Sequence, residues 1–73
     1  MNKHTFNLTE GKEYVPLDKL LKLMRVVGSG GEAHAVIEQG LVTVNGLAET
    51  RKRKKMRQGD KAEFNGQVIS IEA

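Results

Sequence analysis

The feature that most limits how this chain can fold is a change of hydrophobic period at its midpoint. Before Gly40, apolar residues recur with helical spacing: Leu17, Leu20, Leu21, Met24 and Val27 follow an i, i+3, i+4, i+7 pattern. From Leu41 onward the period is two. Leu41-Val42-Thr43-Val44 has the alternation of a half-buried strand, and Asn45-Gly46 is the strongest short hairpin signal a sequence offers. A chain of 73 residues makes one domain. Its helices and its sheet must therefore share a single core.

The boundaries follow from capping and turn chemistry. Pro16 suits the first position of a helix, where its missing N–H costs nothing, and Asp18 in that first turn complements the helix dipole. The helix is expected to end near Val27, because Gly28 follows. Ser29 is a good cap for a second helix, and Glu32 three residues on completes a capping box. Ala33, Val36 and Ile37 form the buried stripe of this helix, which stops at Gly40. Upstream, Thr5-Phe6-Asn7-Leu8 and Tyr14-Val15 have the pattern of short extended pieces around a turn at Glu10-Gly11-Lys12. Downstream, Leu47-Ala48-Glu49-Thr50 begins the return of the hairpin and Gly59-Asp60 makes a turn. Lys61-Ala62-Glu63-Phe64 and Gln67-Val68-Ile69-Ser70-Ile71 then pair across Asn65-Gly66. The expected fold is α+β, two N-terminal helices packed on a small antiparallel sheet. It forms one domain over residues 1–73, with a core motif at about 17–71 and a short N-terminal extension, 1–16.

Several kinds of chemistry are excluded. Without cysteine there is neither a disulfide staple nor a thiolate to attack a substrate or hold a metal. His4 and His34 are far apart, so no metal site is expected. The carboxylates are scattered and no glycine-rich phosphate loop is present, so no catalytic residue and no cofactor are expected. The chain has little room for an enclosed pocket. No stretch approaches the roughly 20 apolar residues of a membrane span, and the N-terminus leads into no apolar run. A cytoplasmic, monomeric protein is the expectation.

What remains is charge. Half of the chain's 12 Lys and Arg residues fall in Arg51-Lys52-Arg53-Lys54-Lys55-Met56-Arg57, so the rest carries a slight negative excess. A cationic segment this dense, with few carboxylates beside it, raises the local potential and attracts polyanions. Met56, its one apolar member, is expected to pin it to the core, and the preceding turn to present it as part of a hairpin. Arg51 and Arg53 offer bidentate phosphate contacts that lysine cannot. The start of the second helix, at Ser29, Gly30 and Gly31, is sterically open and carries the positive end of a dipole, which suits a phosphate. Lys19, Lys22 and Arg25 would form a row on the first helix, and His34 would face outward. Phe6, Tyr14 and Phe64 are the only aromatics, too few for a stacking platform.

These residues together resemble a known family, the RNA-binding domain named after the fourth protein of the small ribosomal subunit, the S-four domain. The resemblance rests on the helix opened by Leu17-Asp18, the Gly28-Ser29 link to a helix containing Ala33 and Ile37, and the element Glu38-Gln39-Gly40-Leu41-Val42-Thr43-Val44-Asn45-Gly46. Gly59-Asp60 before a strand completes it. The Ser29-Gly30-Gly31 and Glu49-Thr50-Arg51-Lys52-Arg53-Lys54 elements look like the stand-alone bacterial branch. The resemblance implies binding to structured RNA, ribosomal or transfer RNA, with the ribosome as a candidate partner, by shape and phosphate contacts. Where most members carry Ser-Arg at the second helix start, this chain has Gly30-Gly31, and at a position often occupied by lysine it has His34. The expected share of binding therefore shifts toward residues 51–57. Two other classes are compatible with the cationic segment: a DNA-binding module, and an adaptor docking on an acidic protein partner.

Overall fold

The computed structural model describes residues 2–73. A five-stranded mixed sheet, a two-stranded ribbon and two helices share one core. The strands of the larger sheet are β1 (Asn2–Asn7), β3 (Thr43–Val44), β4 (Leu47–Ala48), β6 (Lys61–Phe64) and β7 (Gln67–Glu72), in the order β1-β7-β6-β3-β4. The ribbon pairs β2 (Val15–Pro16) with β5 (Lys55–Met56). The helices are α1 (Leu17–Leu23) and α2 (Gly30–Glu38). The α+β class expected from the change of period is the one observed.

The four later strands pair antiparallel, as the two Asn-Gly turns require. Asn45 and Gly46 adopt φ of 52° and 87°, and Asn65 and Gly66 φ of 52° and 79°. Positive φ at both central residues matches a type I′ turn, whose twist suits the flanking strands. The stretch ahead of the first helix contributes more than an extension. Its residues 2–7 form β1 and lie parallel to β7, with Phe6 opposite Ile71, which makes the sheet mixed.

The first helix is shorter than its apolar spacing predicts. It ends at Leu23, with Met24 as its C-cap and Arg25 in the left-handed region at φ 58°. Arg25 N–H donates to Lys22 O and Val26 N–H to Leu21 O, the paired bonds of a Schellman motif. The chain thus turns three residues before Gly28, and Val27 reaches the core from the connection. Pro16, expected at the first helical position, is instead the N-cap. The second helix follows its sequence signals closely. Ser29 Oγ accepts from Glu32 N–H, and Gly40 at φ 73° follows the Gln39 C-cap in a second Schellman motif.

The core joins all layers. Leu17, Leu20 and Leu21 of α1 and Ala33 and Ile37 of α2 pack with Val42, Val44, Ala62, Ile69 and Ile71 from the sheet side and with Val15 and Met56 from the ribbon. Val36, expected in the buried stripe, is only partly covered. No helix among the described residues is long and apolar enough to cross a membrane.

Candidate nucleic-acid interface

The cationic segment does not continue the Asn45-Gly46 hairpin. That hairpin is two residues long on each side, β3 and β4. After Ala48 the chain leaves the large sheet, crosses to the start of α1 and joins the ribbon as β5. The expectation of a basic hairpin arm is therefore corrected. The segment is a connection between two sheets, and its backbone is fixed at several points.

The first fixed point is the N-terminus of α1. A helix starts with N–H groups that have no intrahelical acceptor, and Pro16 as N-cap supplies no side-chain acceptor. The basic connection supplies it: Leu17 N–H donates to Lys54 O at 2.9 Å and Asp18 N–H to Lys52 O at 3.0 Å. The third, Lys19 N–H, is met by Asp18 Oδ1. The carbonyls of the connection thus face the helix while most of its cations remain exposed. The second fixed point is Met56, fully buried and paired with Val15 across the ribbon. The third is Asp60, whose carboxylate accepts from Arg57 N–H at 2.8 Å and from Asn45 Nδ2 at 3.1 Å.

This anchoring gathers Arg51, Arg53, Lys54, Lys55 and Arg57 around one open depression of about 510 Å³. Lys52 is turned aside, its Nζ 3.8 Å from Glu38 Oε2. The segment is also less free of carboxylates than its sequence reads. Glu49 accepts from Arg51 three times, from its backbone N–H, from Nε at 3.0 Å and from the terminal nitrogen at 3.1 Å. This fork holds the Glu49 carboxyl below its ordinary pKa, chiefly through the side-chain hydrogen bond from Arg51, and raises that of the Arg51 guanidinium. Glu49 is largely covered, at 12% side-chain exposure, whereas Arg51 is 72% exposed. Glu49 therefore steers Arg51 while leaving its outer face open to an anion, which makes it a positioning residue that the sequence reading missed. Its only local signal was the i, i+2 spacing to Arg51.

Tyr14 was missed as well. Its ring is 39% exposed, with Lys55 Nζ 5.1 Å and Arg57 Cζ 5.8 Å from the ring centroid. Both distances lie within cation–π range. The pairing of Val15 with Met56 sets this cluster, because it brings the neighbours of each residue together across the ribbon.

The other candidate cations do not join this cluster. Lys22 and Arg25 line a separate depression that also contains Glu32, and Arg25 no longer belongs to a helical row with Lys19 and Lys22. Lys19 lines a groove with Tyr14 and Leu23. At the start of α2, Gly30 and Gly31 are sterically open. Ser29 Oγ is engaged by Glu32 N–H, and the Glu32 carboxylate accepts from Gly28 N–H, so a negative charge lies close to this helix start. His34 is not a free outward group. Its Nε2 lies 2.8 Å from Asp18 Oδ2 and ties α2 to the first turn of α1.

The fold belongs to a recognised class. The S4 domain family matches residues 6–72, nearly the whole chain, and this protein belongs to that family. Among its relatives is YbcJ of Escherichia coli strain K12, 41% identical over 70 residues that span 94% of this chain and 97% of the relative, and provisionally named as an RNA-binding protein. YbcJ of Shigella flexneri, uncharacterized by name, matches with the same identity and coverage. The solution structure of YbcJ from E. coli, described as revealing an αL motif involved in RNA binding, superposes with a TM-score of 0.74 at 38% identity. It covers 100% of this chain and 91% of the other.

Proposed function

We propose that this protein is a non-catalytic binder of structured RNA, of the ribosomal or transfer RNA kind, that grips phosphates with the depression formed by Arg51, Arg53, Lys54, Lys55 and Arg57. The observation that carries this reading is the convergence of five cations on one surface whose backbone is fixed by α1, by Met56 and by Asp60. Cations held in place lose less freedom on binding than cations on a floppy tail. Membership of the S4 family and the naming of a relative as RNA-binding point the same way.

Phosphate contacts give affinity and register more than sequence information, so binding follows the shape of a folded RNA. If about four to six phosphates are neutralised, the slope of log affinity against log salt is about −3 to −5, from roughly 0.7–0.9 per contact. Fluorescence anisotropy with a labelled structured RNA across a salt series tests this directly. Competition with duplex DNA at matched salt tests the nucleic-acid class. A flat salt response, or equal competition by duplex DNA, would overturn the reading.

A further inference from the structure

Beside the five-cation depression lies an open groove of about 440 Å³, within the size range of small-ligand sites. Its walls are apolar: Phe6 and Leu8 come from the N-terminal strand and the turn after it, and Leu23 from the end of α1, where it is 51% exposed. Lys12 and Lys19 lie on its rim, together with one carboxylate, Glu13. Tyr14 belongs to both surfaces, since it lines the groove and its ring is flanked by Lys55 and Arg57 of the cationic cluster. An apolar trough bordered by an aromatic ring and opening onto a phosphate-binding surface complements one chemical object, a planar base still joined to its phosphates.

We propose that this groove accepts a single unpaired RNA base, with Tyr14 as its stacking partner and the flanking phosphates on Lys55 and Arg57. The inference rests on the RNA-binding reading above and narrows it. The target contains an unpaired nucleotide, in a bulge, a loop or an end, rather than an uninterrupted duplex. Bases in a regular helix are stacked and paired on both sides and cannot enter a trough. Bases splayed from loops and bulges are the ones proteins stack on aromatic side chains. One aromatic ring is enough for one base, so the scarcity of aromatics, which argues against an extended single-strand platform, does not argue against a single stacking position.

The test compares two blunt-ended RNA duplexes without loops, one carrying a single-nucleotide bulge and one continuous, each titrated by anisotropy. The wild-type protein is expected to prefer the bulged RNA roughly tenfold, at the lower part of the range for one base stacked on an aromatic ring. Tyr14→Ala should bring the ratio close to one, and Tyr14→Phe should retain the preference. Leu23→Gln, which makes a wall of the groove polar, should reduce the ratio as well. Both positions are exposed enough for the fold to survive, which circular dichroism verifies. Salt-sensitive binding of both RNAs with equal affinity overturns the groove alone. A preference unchanged in Tyr14→Ala does the same. Failure of the wild-type protein to bind either RNA overturns both readings.

Discussion

Two connections in this molecule carry clustered cations, and they differ in what surrounds the charge. The junction of the two helices, residues 22–32, holds Lys22 at the end of α1 and Arg25 in the turn but also Glu32, whose carboxylate lies at the start of α2 and accepts from Gly28 N–H. The connection between the sheets, residues 51–57, has carboxylates too, but they are used differently. Glu49 orients Arg51 from a covered position, and Asp60 fixes the backbone at Arg57. In the first connection the negative charge lies beside the open start of α2, and in the second it sits behind the cations. The two connections therefore differ in the placement of their carboxylates as well as in charge density.

The sharpest way to break this contrast is to remove charge from each side in turn. Replacing Arg53, Lys55 and Arg57 together by alanine should weaken RNA binding about 100-fold, three charge-assisted contacts discounted to roughly 1 kcal/mol each for exposure. The salt slope should flatten by about 2 to 3. Lys22→Ala with Arg25→Ala should change affinity less than about threefold. If the two sets of variants lose affinity equally in the same anisotropy titration, the contrast fails.

The anchoring can be tested separately from the charge. Met56→Ala leaves every cation in place but removes the buried side chain that holds the segment. A stability loss of about 2–5 kcal/mol is expected from denaturant unfolding. RNA affinity should fall as well at a temperature where the variant is still folded. Unchanged affinity in a folded Met56→Ala protein would mean that presentation of the charges does not depend on this anchor.

Arg25 sharpens the comparison from the other side. It occupies the left-handed C′ position of a Schellman motif, where glycine is preferred. Arg25→Gly should therefore raise stability by about 1 kcal/mol, read as a higher denaturation midpoint, with RNA affinity kept within about twofold. A larger loss of affinity would show that the strained arginine is retained for its charge.

The smallest expected effect concerns Glu49. Glu49→Gln removes the negative charge behind Arg51 but also loosens the fork that orients it, and should change RNA affinity by less than about threefold. Because the folded-state pKa of Glu49 lies below its ordinary value of 4.5, the stability gained from its ionised form is complete above that value. It is lost as the pH falls through the lowered one. Stability below pH 4.5 should accordingly decline more steeply in the wild type than in Glu49→Gln, as followed by thermal unfolding across a pH series. Parallel curves would show that the Glu49–Arg51 fork contributes nothing to folding.

Local signals determined much of this protein. The change of period at Gly40, the Ser29–Glu32 cap and the two Asn-Gly turns are interactions among residues within a few positions of one another, so they are written in order along the chain. The buried anchor at Met56 was legible for a similar reason, as a lone apolar residue in a charged run. Only the tertiary structure decided the rest, because it depends on contacts between distant residues. Leu23 ends α1 because Arg25 and Val26 close a Schellman motif ahead of Gly28, against the apolar spacing that continues to Val27. The first strand joins β7 in parallel across the whole length of the chain, which no local pattern encodes. The basic segment abandons its hairpin because α1, opened by a proline without a capping side chain, needs carbonyl acceptors that Lys52 and Lys54 provide. These backbone hydrogen bonds, together with the Val15–Met56 pairing, place the cations beside Tyr14 and turn a charge run in the sequence into a shaped surface.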